Sequence, residues 1–540
     1  MADGRRGETD KQGTGIDHLQ ALLKRLLLSA RWHVYRHFPN LLLSEADRHH
    51  DLERDARENQ QIRVDSEEDL LVPIIWATEV FGPSEVDSFY EQVKRLGWGK
   101  NPTRTDGGPA RWIAEQRLYG FSGNYNIGVV TRDKDKRFFR VDYHAPLPDE
   151  VDYLQVKIHQ VSNSTTCVTI GFILKPVPRT WYSEELNTDS KTFRRAVPKS
   201  KSISILSPAN QKHESIEKTR AKYRAITIAW FKEHMAGFFS NQKSGNLLPT
   251  AELITCANTT ALVGLSDEQR GKQPRWLHTL LPIGMREVWT STSFPALRLT
   301  FNEFEDDSRH HAVFALKTSE VSPEKLAHYG GANTDGYTNY VSNHVNEVLA
   351  HLATQAYLTE AARIVKRSRE QLRPNHSPSG VERALKAITS FFQEAAGFPA
   401  VADDIVQRGA SPIWYHECGD FVTQEWGHDR NRTYTLAEAL ASRMRGLAEH
   451  FSKDEASTRE QFEQFASILS IKESIRAQKR MEILTVVALL VAFLSLLAAL
   501  PSISEWPHDI RKWMSRVEAV APTPSATRER ASAATAKDKH

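Results

Sequence analysis

The spacing of apolar residues changes character along the chain, and each change marks an expected element. Between Asp17 and Leu43, Leu19, Leu22, Leu23, Leu26 and Leu27 fall on one helical face, with Lys24, Arg25, Arg31 and Arg36 on others. This predicts a basic amphipathic helix broken near Pro39. Such a helix either docks on its own domain or lies on a membrane surface. The charged run "SEADRHHDLERDARENQQ" that follows reads as solvated helix or linker. Residues 1–62 are therefore expected to form an amphipathic helix and a charged linker.

From 63 to 330 the period shortens. Runs rich in Val, Ile, Phe and Tyr, "LLVPIIWATEVF", "YNIGVVT", "RFFRVDYH", "DYLQVKIHQV", "TCVTIGFIL", "ALRLTFNEF" and "HHAVFALKT", read as strands. Leu154, Val156 and Ile158 alternate, and Gln160 breaks the pattern. Helical segments are interleaved, as in "PSEVDSFYEQVKRLGW" and "SIEKTRAKYRAITIAWFKEHMAGFF". Mixed strand and helix order predicts an α+β domain. From 331 to 480 the chain reads as helical. Val341, Val345, Val348 and Leu352 form one seam; Leu436, Leu440, Met444, Leu447 and Phe451 form another, resumed at Phe462, Phe465 and Leu469. The polar "SKDEAST" between them argues for a stalk or small bundle rather than one continuous coiled coil.

Ile483 to Leu500, "ILTVVALLVAFLSLLAAL", carries no charge over 18 residues. About 20 apolar residues cross the hydrocarbon core, so 481–503 is expected to be a single transmembrane helix ended by Pro501, with Trp506 at the interface. Lys472, Arg476, Lys479 and Arg480 precede it closely, which favours the N-terminal side in the cytoplasm. "MADGRRGETDKQGTGID" offers no apolar core for a cleavable secretory signal. Within the span, Thr485, Ala488, Ala492, Ser495 and Ala499 share a face at spacings of three and four. Small residues there let two helix backbones approach, so self-association is expected. Residues 504–540 read as a short amphipathic segment, with Trp506, Ile510, Trp513 and Val517 in one stripe, and a disordered polar tail.

Composition and charge add limits. With 70 basic and 67 acidic residues the net charge is +3, too small to imply nucleic acid as a partner. One local excess stands out between Lys191 and Arg224, where Arg194, Arg195, Lys199, Lys201, Lys218, Arg220, Lys222 and Arg224 are opposed only by Glu214 and Glu217. It is either a patch for an anionic ligand or lipid headgroups, or a solvated face. Three scattered cysteines suggest no disulfide framework.

His416, Cys418 and His428 come nearest to a metal-ligand set, but His-x-Cys is too short for the usual paired-ligand spacing and Cys418 has no partner, so no metal is expected. His344, Glu347 and His351 share a helix face that reads as solvated. No phosphate-cradling glycine loop or nucleophile elbow is present, so no cofactor and no catalytic residue can be named.

The order of parts resembles, in outline, the CorA-type magnesium channels: an α/β domain, long helices and a C-terminal span. Those channels carry two spans with a Gly-Met-Asn tripeptide between them. This chain has one span and no such tripeptide, so no site is carried over. The expected function is that of a single-pass membrane protein whose cytosolic α+β domain senses or binds something. The alternatives are a membrane-tethered enzyme with its site in the α+β domain, and a scaffold gripping anionic lipid or nucleic acid through 191–224.

Overall fold

Three strands, β1 (Ile74–Phe81), β5 (Thr165–Leu174) and β8 (Thr250–Cys256), are buried at every residue. Covered on both faces, they read as near-continuous apolar runs rather than as alternation. They form the middle of an eleven-stranded sheet in a computed structural model. The structure describes residues 13–38, 43–98, 107–120, 122–132, 143–197, 202–242, 248–264, 273–282, 287–301, 310–371, 386, 388–393, 395–407, 415–426, 429 and 431–499.

The remaining strands are β2 (Gly123–Thr131), β3 (Tyr143–His144), β4 (Val151–Ser162), β9 (Trp289–Ser291), β10 (Leu297–Phe301), β11 (His311–Lys317), β12 (Phe421–Thr423) and β13 (Tyr434–Thr435), with β6 (Phe193–Val197) and β7 (Ser202–Leu206) as a separate hairpin. The sheet runs β13-β12-β9-β10-β11-β8-β1-β5-β4-β2-β3. Neighbours are antiparallel except β8 with β11 and β2 with β3, which makes the sheet mixed. The α+β character expected of this region is present. Gln160 breaks the alternation of β4 because it serves the β4–β5 turn: its amide donates to the Ser162 carbonyl at 2.5 Å and accepts from Thr166 Oγ1 at 2.7 Å. Gly171 lies opposite Trp76, where a Cβ would come within 2.7 Å of Ile74 Cδ1.

Helices cover both faces. Thr334–Gln371 crosses β5, β1 and β4 on the front. Its predicted seam, Val341, Val345, Val348 and Leu352, is buried in a core with Trp76, Leu299 and Phe314. Trp76 and Phe314 meet edge to face, 5.6 Å between centroids. Pro208–His234 packs on the back against β1 through Lys212, Ile216, Arg220, Tyr223, Thr227 and Trp230, one helical face at spacings of three and four. The charged run after the first helix is also docked. Glu45–Ile62 starts in a Ser44/Asp47 capping box. It is tied to the 187–194 segment by paired bonds between Asn59 and Ser190 (2.7 and 3.0 Å) and by the Asp55 carboxylate accepting from Thr192 N (2.7 Å).

The helices beyond 331 do not stand apart from the sheet. The chain divides into two units, Met1–Glu460 and Gln461–His540, so the first holds the sheet together with the helical stretches up to Glu460. β12 and β13, within the 331–480 stretch expected to be helical, extend the sheet beyond β9. Leu436–Ala499 is one unbroken helix of 64 residues, and "SKDEAST" does not interrupt it. Phe451, Glu455 and Thr458 continue the buried face at spacings of four and three. The Thr458 hydroxyl and the Asp454 carbonyl have a partner on the front helix: Arg369 donates to Thr458 Oγ1 at 3.1 Å and to the Asp454 carbonyl at 3.0 Å. Local polarity therefore did not mean exposure.

Candidate functional site

The basic segment is split by the fold. On the back helix, residues four apart lie on one face, and that face is buried against the sheet. Lys212 Nζ donates to the Leu186 carbonyl at 2.5 Å. Arg220 donates to Glu252 Oε1 at 2.9 Å, to Glu217 Oε1 at 2.7 Å and to the Leu280 carbonyl at 2.6 Å. Arg194 is also turned inward, 2.5 Å from Asp51. Arg224 Nε lies 3.5 Å from Thr250 Oγ1. Lys222 is exposed but sits 3.8 Å over the Trp181 ring and 3.6 Å from Glu150. Arg195 and Lys218 face solvent; Lys199 and Lys201 lie outside the described residues. A run of like charge in the sequence thus becomes two internal ion pairs and a few outward cations.

Arg220 belongs to a buried centre that sequence reasoning did not find. Side-chain exposure is 2% for Arg220 and 1% for Glu252. Tyr182 Oη donates to Glu252 Oε2 at 2.6 Å, and His311 Nε2 lies 3.7 Å from the same oxygen. His311 Nδ1 shares a 2.9 Å bond with Thr250 Oγ1. Burial pushes the Glu252 carboxyl up, but Arg220, His311 and Tyr182 outweigh it and hold the group at about 2. Burial pushes the Tyr182 phenol well above its ordinary range and His311 down. At neutral pH this is an ionised carboxylate locked between a guanidinium and a phenol. The adjoining cavity, lined by Thr78, Pro249, Thr250, His310 and His311, offers about 10 Å³, room for about one water.

A second polar centre lies on the front. β4 presents alternate residues Gln155, Lys157 and His159 to helix positions 339, 343, 347 and 351, which share a face four residues apart. Gln155 Nε2 donates to Asn339 Oδ1 at 2.6 Å and Lys157 Nζ to Asn343 Oδ1 at 3.0 Å. His351 sits 3.7 Å from Glu347, with His159 at its edge and the Tyr415 ring 4.0 Å away. Glu347 and His351 are buried, so the solvated face expected for them is corrected: an i, i+4 row here lies against a strand.

Glu347 and Glu417 exchange bonds. The amide of Glu417 donates to Glu347 Oε2 at 2.7 Å, and that of Glu347 to Glu417 Oε2 at 3.0 Å. Burial pushes Glu417 up and the Glu347 charge adds to it, whereas for Glu347 the neighbouring His351 and the bond from the Glu417 amide outweigh burial and lower it. Burial and the neighbouring His351 bring His159 down to about 4, so it is neutral at pH 7. Two carboxyls with diverging acidities beside two imidazoles are the kind of set that acid–base chemistry uses.

The described metal candidates, His416 and Cys418, form no ligand set. His416 is exposed and Cys418 is fully buried, its thiol pushed well above the ordinary range by burial; His428 lies outside the described residues. Among the described residues no group of three His, Cys, Asp or Glu side chains could hold a metal ion. Cys167, Cys256 and Cys418 are all free and buried. A wider groove of about 290 Å³ opens between β9, β10 and β12, lined by Thr290, Arg298, Val422, Thr423, Gln424 and Glu425 among others. Glu425 Oε2 accepts from the Val288 amide there at 3.0 Å, and Arg298 donates to the Leu262 carbonyl at 2.8 Å.

In the Gln461–His540 unit, the end of the long helix is long and apolar enough to span a membrane. Its apolar side chains have no cover among the described residues: Leu484 is 63% exposed and Leu496 66%. Thr485, Ala488, Ala492 and Ser495 are exposed with them, and Ala499 ends the helix. The two hydroxyls bond back to their own helix, Thr485 Oγ1 to the Met481 carbonyl and Ser495 Oγ to the Val491 carbonyl, both at 2.8 Å. This satisfies them without a partner helix. The amphipathic stretch from Trp506 to Val517 lies outside the described residues. No protein-family model, curated protein or solved structure matches the chain.

Proposed function

We propose that this chain is a single-pass membrane protein whose α+β unit works in the cytoplasm as a sensor or effector. The observation that carries the reading is the uncovered apolar stretch from Ile483 to Leu497. Water would have to solvate ten large aliphatic side chains and Phe493 on one helix, and a bilayer removes that cost. Lys472, Arg476, Lys479 and Arg480 ahead of the stretch favour the cytoplasmic side for the large unit. The shared face of Thr485, Ala488, Ala492, Ser495 and Ala499 supports association of copies through the span.

Binding is favoured over catalysis because the buried carboxyls are engaged in holding the fold: Glu252 by Arg220 and Tyr182, and Glu79 by backbone amides. The groove beside Glu425 and Arg298 is the place for a small polar ligand. Membrane fractionation with protease protection tests the anchor, comparing the full chain with Leu490→Arg/Leu494→Arg. The full chain should resist alkaline extraction with its large unit open to protease on the cytoplasmic side, and the variant should become extractable. A full chain found in the soluble fraction would end this reading.

A second reading, a membrane-tethered enzyme, draws on the paired carboxyls Glu347 and Glu417 beside His351 and His159. A small-molecule turnover lost in Glu347→Gln with folding intact would favour it.

A further inference from the structure

The first helix, Gly13–His37, carries a second unpartnered apolar face. Leu22, Leu23, Leu26 and Leu27 are each more than half exposed, Leu26 at 61%, although they share one side of the helix. At about 100° per residue, this stripe is flanked on one edge by Arg25 and Arg36 and on the other by Lys24 and Arg31. Between Gly13 and His37 the acidic side chain is Asp17 alone, against those four basic ones. A protein partner for such a face would have to bring acidic edges to both basic ones. Two basic edges around a leucine stripe instead match a bilayer with anionic headgroups, in which the stems run along the apolar surface and the charged ends reach phosphate. The helix runs beside β6, which adds exposed Phe193 and Arg195, alternate residues on one strand face.

We propose that Gly13–His37 lies in the plane of an anionic lipid surface, with Leu22, Leu23, Leu26 and Leu27 in the acyl boundary and Lys24, Arg25, Arg31 and Arg36 at the headgroups. This contact is separate from the span and does not depend on it. Each basic residue near the surface strengthens the attraction, and the effect fades within a Debye length. The contact is therefore selective for anionic lipid and weakened by salt.

The test is nitroxide labelling of the full chain at Leu26→Cys, Arg25→Cys and Leu490→Cys, one at a time. Cys167, Cys256 and Cys418 are buried with raised thiol pKa values, so the label goes to the introduced thiol. The protein is placed in vesicles of phosphatidylcholine alone and in vesicles that also contain phosphatidylserine. With phosphatidylserine, the label at 26 should collide severalfold more with oxygen than with a water-soluble nickel chelate, while the label at 25 stays open to nickel. Replacing Lys24, Arg25, Arg31 and Arg36 by Gln should remove the difference between the two vesicle types. A label at 26 as open to nickel as one at 25, or one shielded from both reagents without lipid because the helix docks on protein, overturns the proposal. The label at Leu490 follows the span by itself, so a wet first helix with a buried span refutes this contact and leaves the anchor standing.

Discussion

Removing Arg220 is the sharpest test of whether the basic segment serves the fold or a ligand. Arg220→Met keeps much of the side-chain volume but takes away three donated bonds and the positive charge facing Glu252. Glu252 would keep the Tyr182 hydroxyl at 2.6 Å and His311 at 3.7 Å, in a site with almost no solvent. Breaking a buried pair from one side costs about 3–5 kcal/mol, because the other charge stays buried. With a urea slope of about 3 kcal/mol per molar, the midpoint should fall by roughly 1–1.7 M at pH 7.

The pH dependence separates lost charge from lost packing. In the native protein Glu252 is held at about 2, below its ordinary 4.5. Its contribution is therefore present above pH 4.5 and fades as pH falls toward 2. Without Arg220, burial dominates and the carboxyl rises above 4.5. The damage should then grow as pH rises from about 4.5 and shrink in acid. Urea unfolding of the full chain in detergent, followed by tryptophan fluorescence at pH 4.5 and 7.5, reads both quantities. Glu252→Gln in the Arg220→Met background should recover part of the loss at pH 7.5 and little at pH 4.5. A midpoint unchanged at pH 7, or a loss equal at both pH values, would refute the argument and return Arg220 to the candidate anion patch.

Other outcomes follow from separate features. Glu79 is fully buried, with no cation beside it among the described residues; burial outweighs the bonds it accepts from Ser240, Phe239 and Val80 and pushes it to about 7. The folded state then holds a proton that the unfolded state releases, so stability should fall by about 3 kcal/mol between pH 4.5 and 7; Glu79→Gln should flatten that part of the stability–pH curve. Gly171→Ala should cost about 1–3 kcal/mol by crowding Ile74 and Trp76, and Ile74→Val should restore some of it in thermal unfolding. Ala492→Leu with Ser495→Leu should weaken self-association in membranes, read by energy transfer between labelled copies; unchanged transfer would remove the small-residue seam as a contact.

Much of the architecture was legible because its signals are local. An uncharged run of 18 residues, a leucine stripe over 19–27 and the Val341–Leu352 seam are properties of neighbouring residues, and period alone places them on helix faces. β1, β4 and β5 were equally visible as apolar runs. The sequence did not show where charge would go. Arg220 looked like one cation of the 191–224 run, yet its carboxylate partner lies 32 residues away on β8 and its phenol neighbour precedes it by 38. Glu347 and His351 looked like a solvated row until β4 was laid across them. "SKDEAST" looked like a break until Arg369 supplied its partner.

Hydrophobic period is thus fixed by the chain itself, since burying one face of a helix or strand needs no particular neighbour. Whether an ionisable group is buried depends on a complementary group brought in from far along the chain, because a lone charge cannot leave water without one. That pairing was decided only when the sheet and its two covering helices came together.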